Sequence, residues 1–471
     1  MRFVLASAFA ALVLPVLACA QPALPSTPAG EATKAYLDAL NSRDRTKAAS
    51  FINSRFPTSP IDADGFVGFG RQVGGFDFLR VEMATPTALT ALVRERYGDG
   101  YARLEVETDP TAPSQVKALR ARVAPRPADI SADPRLDDSA LAKAVSVKLA
   151  LMGEDYSGVV LIARKGKPFA AFAQGLADRE RKIPVTAATK FRVGSMNKMH
   201  TAVAVLQLAQ AGKLDLQAPL ITYLKDYPNG AWARKVTLHQ LLTHTGGAGD
   251  FFGPEYDANR ETLRTLQDYV ALLGAREPTF EPGAKWQYAN FGFILLGRVV
   301  EVVSGQSYYD YVEGHVFKPA GMTGSGFEPE ATFVPERAVA YEHIGDAYGP
   351  AGGLPWRGTS AGGGYSTAED FLKFAVALYD GRLLDEAHRR LMTSPQVDDG
   401  RGGKYGYGLS IPSAELPMVG HAGGAPGMNG DLQILDGGEG VVVTLSNVAP
   451  PFLAVRLSQF VAERFSPLEH E

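Results

Sequence analysis

The stretch Phe191-Arg192-Val193-Gly194-Ser195-Met196-Asn197-Lys198 decides how the rest of the chain is read. After it come Ala202, Val203, Val205, Leu206, Leu208 and Ala209, an apolar run at helical spacing that Gly212 closes. Ser195 and Lys198 therefore fall one turn apart, on the same face, at a helix start. A serine hydroxyl is a weak nucleophile until a base takes its proton, and a lysine held neutral can be that base. Desolvation and the positive end of the helix dipole both disfavour an ammonium at that place. Taken alone, Ser-x-x-Lys says little. Ser114-Gln115-Val116-Lys117 repeats it, and an N-capping serine on an exposed helix would look the same.

Two later elements add to it. Tyr288-Ala289-Asn290 lies within Trp286-Gln287-Tyr288-Ala289-Asn290-Phe291-Gly292. A tyrosine beside a lysine ammonium can share or shed its phenolic proton more easily than in water. It could then carry protons between the serine and a leaving group, while the Asn290 amide bonds a substrate carbonyl and the lysine together. Tyr227-Pro228-Asn229 repeats the word, and its proline reads as a surface turn. The third element is His421-Ala422-Gly423-Gly424, ahead of the strand-like Asp431-Leu432-Gln433-Ile434-Leu435. Small residues there bring the backbone close to a substrate, and the Gly424 N–H could pair with that of Ser195 as an oxyanion hole. His244-Thr245-Gly246 and Lys404-Tyr405-Gly406 are its decoys.

The ordered set, Ser-x-x-Lys opening a helix, then Tyr-x-Asn, then His-x-Gly before a strand, resembles the class C β-lactamase-like serine hydrolase family. That family includes carboxylesterases, D-amino-acid peptidases and penicillin-binding relatives. The resemblance runs through most of residues 134–468. Gln240–Gly247, Ser360–Thr367, Tyr405-Gly406-Tyr407-Gly408 and Gly423-Gly424-Ala425-Pro426-Gly427 support it. It implies an α+β fold, with a five-stranded antiparallel sheet flanked by helices, an all-helical subdomain and the site between them. It further implies that Ser195 is acylated, Lys198 and Tyr288 serve as base and proton shuttle, and the Ser195 and Gly424 N–H groups hold the oxyanion. Asn290, His421 and Gly423 would bind substrate. Neither cofactor nor metal is expected, and no His-Glu-x-x-His pair or Gly-x-x-x-x-Gly-Lys-Ser/Thr loop occurs.

One departure matters. β-Lactamases and many penicillin-binding proteins of this type carry lysine where His421 stands. A histidine of ordinary pKa, about 6.5, is mostly neutral at pH 7 and gives no fixed charge to a β-lactam carboxylate. The weight shifts to esters, giving a carboxylesterase-type activity. D-Amino-acid amides and peptides, or a β-lactam or peptidoglycan-like substrate, are the alternatives. The rival from another class is a binding or regulatory protein on the same fold, and the filled catalytic positions argue against it.

At 471 residues the chain exceeds one core, which stops growing near 250–300 residues. Hydrophobic residues at 45% and charged residues at 21% are ordinary for a globular protein. A net charge of −4 and a pI near 6.1 give no electrostatic case for nucleic acid or an anionic membrane. Residues 1–20 read as an export signal, with Arg2, an apolar run from Phe3 to Leu17, and Ala18-Cys19-Ala20 as the cleavage site. A lipoprotein acylated at Cys19 is the less favoured reading, since Leu17 is bulky for such a site. This places the protein in a bacterial periplasm or outside the cell. Cleavage after Ala20 leaves no cysteine, and so no disulfide or thiol nucleophile.

Residues 21–29 form a Pro-rich tether. Residues 30–124 read as a small α+β domain. Helical spacing runs from Gly30 to Phe56, and strands are expected at Phe78–Met83, Ala88–Val93 and Ala102–Glu107. The pattern resembles the cone-shaped fold of the nuclear transport factor and SnoaL type, and its aromatics Phe66, Phe69, Phe76 and Phe78 read as core. Residues 125–137 make a linker and 138–468 the hydrolase domain.

Overall fold

The structure is a computed structural model that describes residues 23–344, 347–412 and 417–467. The expected export signal, Cys19 included, lies outside the described residues.

Three helices open the described chain: α1 (Pro28–Ser42), α2 (Arg45–Arg55) and α3 (Ala63–Val73). Side chains of Thr27, Asp44 and Asp62 cap them by accepting a backbone N–H of the first turn. The helical spacing expected from Gly30 to Phe56 is carried by two helices, divided where Arg43 turns left-handed at φ 52° and Asp44 starts the next. The expectation also missed α3. Its three glycines lower helix propensity, and the burial of Phe66, Val67 and Val73 stabilises it instead. Four strands follow, β1 (Phe76–Ala84), β2 (Ala88–Glu95), β3 (Tyr101–Thr108) and β4 (Val116–Ala124), paired in that order as an antiparallel sheet. Tyr36, Leu40, Phe51, Phe66, Phe76 and Leu104 share one core between helices and sheet.

The larger part begins with α4 (Asp138–Met152) and the hairpin β5 (Gly158–Arg164) and β6 (Lys167–Gln174). After α5 (Asn197–Gln210) come the helical stretch that ends in α6 (Asn290–Ser304), and α7 (Ala368–Tyr379). The chain then returns to the sheet with three two-residue strands, β7 (Val397–Asp398), β8 (Lys404–Tyr405) and β9 (Ser410–Ile411). Three long strands, β10 (Met418–Ala425), β11 (Met428–Leu435) and β12 (Gly440–Ser446), and α8 (Leu453–Arg464) complete it. The sheet order is β7-β8-β9-β10-β11-β12-β5-β6, and every pair is antiparallel. The five long strands are those expected, and the short ones extend one edge. The fold is α+β and β-lactamase-like.

Strand alternation splits the core in two. Val159, Leu161 and Ala163 of β5 face the cluster built on α5, α6 and α7. Val160 and Ile162 face the other way, onto α4 and α8. The first unit is tied to that second face. Lys148 and Arg464 pair with Asp99 at 3.0 and 2.9 Å, and Arg43 with Asp155 at 2.7 Å. Arg456 pairs with Glu95, and Tyr97 packs into the α4–α8 cluster.

Candidate active site

Ser195 lies in a short 3-10 turn, Gly194–Met196, that runs straight into α5, so Lys198 falls in the helix's first turn. The turn needs glycine ahead of the serine. Gly194 has φ 52°, and a Cβ on it would sit 3.0 Å from the Gly424 nitrogen. Gly423 is equally constrained, since a Cβ there would come within 1.9 Å of the Val193 carbonyl oxygen. The end of β10 is thereby pressed against the Ser195 turn, with the Gly424 amide beside it.

Lys198 is fully buried. Its Nζ donates to Asn290 Oδ1 at 2.7 Å and to the Ala361 carbonyl, and it lies 3.2 Å from Ser195 Oγ, to which it donates as an ammonium and from which it accepts as a neutral amine. The same nitrogen stands 4.7 Å from the centre of the Tyr288 ring. Burial pushes its pKa down to about 7, against a smaller upward pull from Asp250. A large fraction of this amine is therefore neutral at physiological pH.

Tyr288 is half-buried and hydrogen-bonded to Ser195. Burial raises its pKa, the Ser195 bond lowers it less, and the Asp250 charge raises it further. Proximity to the lysine was expected to loosen the phenolic proton. Desolvation wins instead, and Tyr288 holds its proton. Asn290 opens α6, accepts from Lys198 and donates through Nδ2 to Asp250 Oδ2 at 2.8 Å. One of its two amide hydrogens is therefore engaged away from any substrate.

His421 is buried, and both ring nitrogens are engaged. Nδ1 faces the Ala422 carbonyl at 2.6 Å and so must carry hydrogen. Nε2 is then an acceptor, filled by the Tyr405 hydroxyl at 3.1 Å. On the far side, the Ala289 N–H donates to His244 Nδ1 at 3.1 Å, so His244 Nε2 carries hydrogen and meets the same Tyr405 oxygen at 3.1 Å. The chain Ala289, His244, Tyr405, His421, Ala422 has one consistent direction, with every member neutral. Burial and the nearby Lys198 push His421 down to about 3, which agrees. Its ring has no free nitrogen for a substrate, a departure from the binding role expected of it; β10 instead offers backbone.

Two words set aside as decoys thus stand in the site. The His244 ring lies 4.4 Å from that of Tyr288, centre to centre and tilted by 38°, and the residue holds a left-handed backbone at φ 60°. A β-carbon-bearing residue in that region marks stored strain, which clusters at functional sites. Tyr405 joins the two histidines. Asp250 has no local motif to announce it. The other decoys lie elsewhere: Ser114 and Lys117 are exposed, Asn229 caps a short helix, and Lys404 pairs with Asp398.

Two hollows meet at Ser195 and Gly424. One is lined by Phe251, Phe252, Leu354, Pro355, Ala425 and Met428 and is mainly apolar. The other is lined by Trp286, Tyr288, Arg401, Tyr405, His421 and Phe452. No group of three or more metal-ligating side chains occurs among the described residues.

The Beta-lactamase family model matches residues 150–464. Penicillin-binding protein 4 of Amycolatopsis lactamdurans is 30% identical over 317 residues, 62% of this chain and 81% of that protein. Esterase EstB of Burkholderia gladioli is 38% identical over 193 residues, but the match covers 38% of this chain and only 49% of the esterase. Among solved structures, a penicillin-binding protein from Bacillus halodurans superposes with a TM-score of 0.61 at 31% identity, over 70% of this chain and all of that one. A D-stereospecific amidohydrolase from Streptomyces superposes with a TM-score of 0.56 at 27% identity, over 69% and 98%.

Proposed function

The chain belongs to the Beta-lactamase family and is a serine hydrolase, and we propose that it is an exported carboxylesterase-type enzyme that forms an acyl-enzyme on Ser195. Lys198 in its neutral form takes the Ser195 proton as Oγ attacks the ester carbonyl. The Ser195 and Gly424 N–H groups hold the oxyanion that forms. Tyr288, which keeps its proton, gives it to the departing alkoxide, and the Lys198 ammonium, 4.7 Å from the ring centre, hands the proton taken from Ser195 to the phenolate, so that the acyl-enzyme is left with a neutral lysine and a protonated tyrosine. Water then attacks the acyl-enzyme by the reverse relay, releasing the acid and restoring Ser195.

The observation that carries the choice of ester is the neutral, doubly engaged His421. At this position a lysine would supply a fixed cation for a carboxylated ring, and His421 supplies none; the Arg401 guanidinium on the rim of the same hollow lies over the Trp286 ring instead. The apolar hollow beside Ser195 suits an acyl chain. Export rests on the residues 1–20 pattern; no helix among the described residues is long and apolar enough to cross a membrane. A panel of p-nitrophenyl acyl esters, a chromogenic cephalosporin and D-alanyl amides tests the assignment. Ester turnover should exceed cephalosporin turnover by orders of magnitude, and the reverse order refutes it.

A second reading is favoured by Asp250. Its carboxylate, exposed and bonded to Asn290, could receive the ammonium of a D-amino-acid amide. Preferential turnover of the D-alanyl amide, lost in Asp250→Asn, would select that reading.

A further inference from the structure

The two hollows that meet at Ser195 are not equivalent. The leaving group must lie against the residue that protonates it, and Tyr288 lines only one of them. The acyl part therefore belongs in the Phe251–Met428 hollow and the leaving group in the Tyr288 hollow. The rim of that second hollow includes Phe452, which is 36% exposed and whose ring edge lies 3.2 Å from where a Gly424 Cβ would stand. Phe452 overhangs the strand that carries the oxyanion-hole amide.

Phe452 is held from two sides. It precedes α8, whose start is fixed to β10 and β11 by Asn429: Oδ1 accepts the Ala454 N–H at 2.7 Å, and Nδ2 donates to the Gly423 carbonyl at 3.2 Å. Its own N–H donates to Gln72 Oε1 at 3.2 Å, and Gln72 belongs to α3 of the first unit. The same unit grips α8 further along, through Glu95 with Arg456 and Asp99 with Arg464.

We propose that the N-terminal unit is a specificity element of the hydrolase: through Gln72 it sets Phe452 as an apolar wall that selects aryl and other bulky apolar leaving groups. The inference rests on the acyl-enzyme reading of Ser195. Phe452 touches the leaving group, and Gln72 is a positioning residue that acts through it.

The test uses the full chain and two ester series, one varying the alcohol at fixed acyl group and one varying the acyl group at fixed alcohol. In Phe452→Ala the kcat/KM ratio of phenyl over ethyl ester should fall roughly fivefold to tenfold, the range of a lost aromatic contact. Selectivity among acyl chains should keep its wild-type order. Phe452→Leu should recover most of the phenyl preference, and Gln72→Ala should lose about half of it. Fluorophosphonate labelling of Ser195 in each variant shows that the site is still formed. A wild type that turns over esters, with a phenyl-to-ethyl ratio unmoved in Phe452→Ala or an equal loss in both series, overturns this inference alone. A wild type that hydrolyses no ester and takes no label overturns the acyl-enzyme reading, and this inference with it.

Discussion

Replacing Lys198 by methionine should make the protein's stability less dependent on pH while abolishing its chemistry. The amine is buried with a pKa near 7, against 10.5 for a free lysine. Below pH 7 both the folded and the unfolded chain hold its proton, and stability does not respond to this group. Between about pH 7 and 10.5 the unfolded chain holds more protons than the folded one, so the wild type gains stability as pH rises. From pH 7 to pH 9 the gain amounts to about 2 kcal/mol, allowing for half-titration at the start. Methionine fills a similar volume and does not titrate. The variant's absolute stability mixes the three lost Nζ hydrogen bonds with the lost desolvation cost, but the pH dependence of the difference isolates the amine. Thermal melts of both proteins from pH 6 to 9 supply the measurement. The wild-type midpoint should climb relative to the variant by a few degrees above pH 7. The same neutral amine must accept the Ser195 proton, so kcat/KM for acylation should rise with pH and level off near the same midpoint. A melting difference that stays flat from pH 6 to 9 would mean that Lys198 titrates like a solvated lysine, and the base assignment would fall.

Tyr288→Phe should lower kcat/KM by roughly 10²–10⁴ for an ethyl ester, and by much less for a p-nitrophenyl ester, whose leaving group needs no proton; equal losses on both would argue against proton delivery. Asp250→Asn removes the charge that raises the Lys198 pKa, so the acid limb of the acylation pH profile should move to lower pH, and movement to higher pH would contradict the electrostatic picture. Tyr405→Phe leaves the His244 Nε2–H without its acceptor, and should cost about 1–3 kcal/mol, read as a lower melting midpoint. An unchanged midpoint would mean that the histidine–tyrosine chain is not formed.

The residues that could be read from the sequence are those whose position follows from local backbone. Ser195 and Lys198 share a turn because of a helix start, and Asn290 opens a helix in the same way. His244 and Tyr405 read as decoys because a short word reports only its own neighbourhood, whereas both reach the site through tertiary packing. The contact of His244 with Tyr288 and its bonds to Ala289 and Tyr405 separate it from a turn histidine, and they appear only in coordinates. Asp250 was invisible for a related reason: a single exposed carboxylate in a glycine-flanked loop has no pattern until Asn290 is placed against it. The long strands were legible from apolar runs such as Val159–Ala163. Strands β7, β8 and β9, at two residues each, fall below what periodicity can register. Helix α3 was lost to its glycines, which mask a buried face.

Catalysis by this site requires Ser195 to become acylated with Lys198 as its base. Acid-quenched mass spectrometry of the full chain during ester turnover measures that intermediate. It should show one acyl group on the peptide that carries Ser195 in the wild type and none in Ser195→Ala. In Lys198→Ala the adduct should form orders of magnitude more slowly, because members of one catalytic unit fail together. An adduct on another residue, or full turnover by Ser195→Ala, would contradict that requirement.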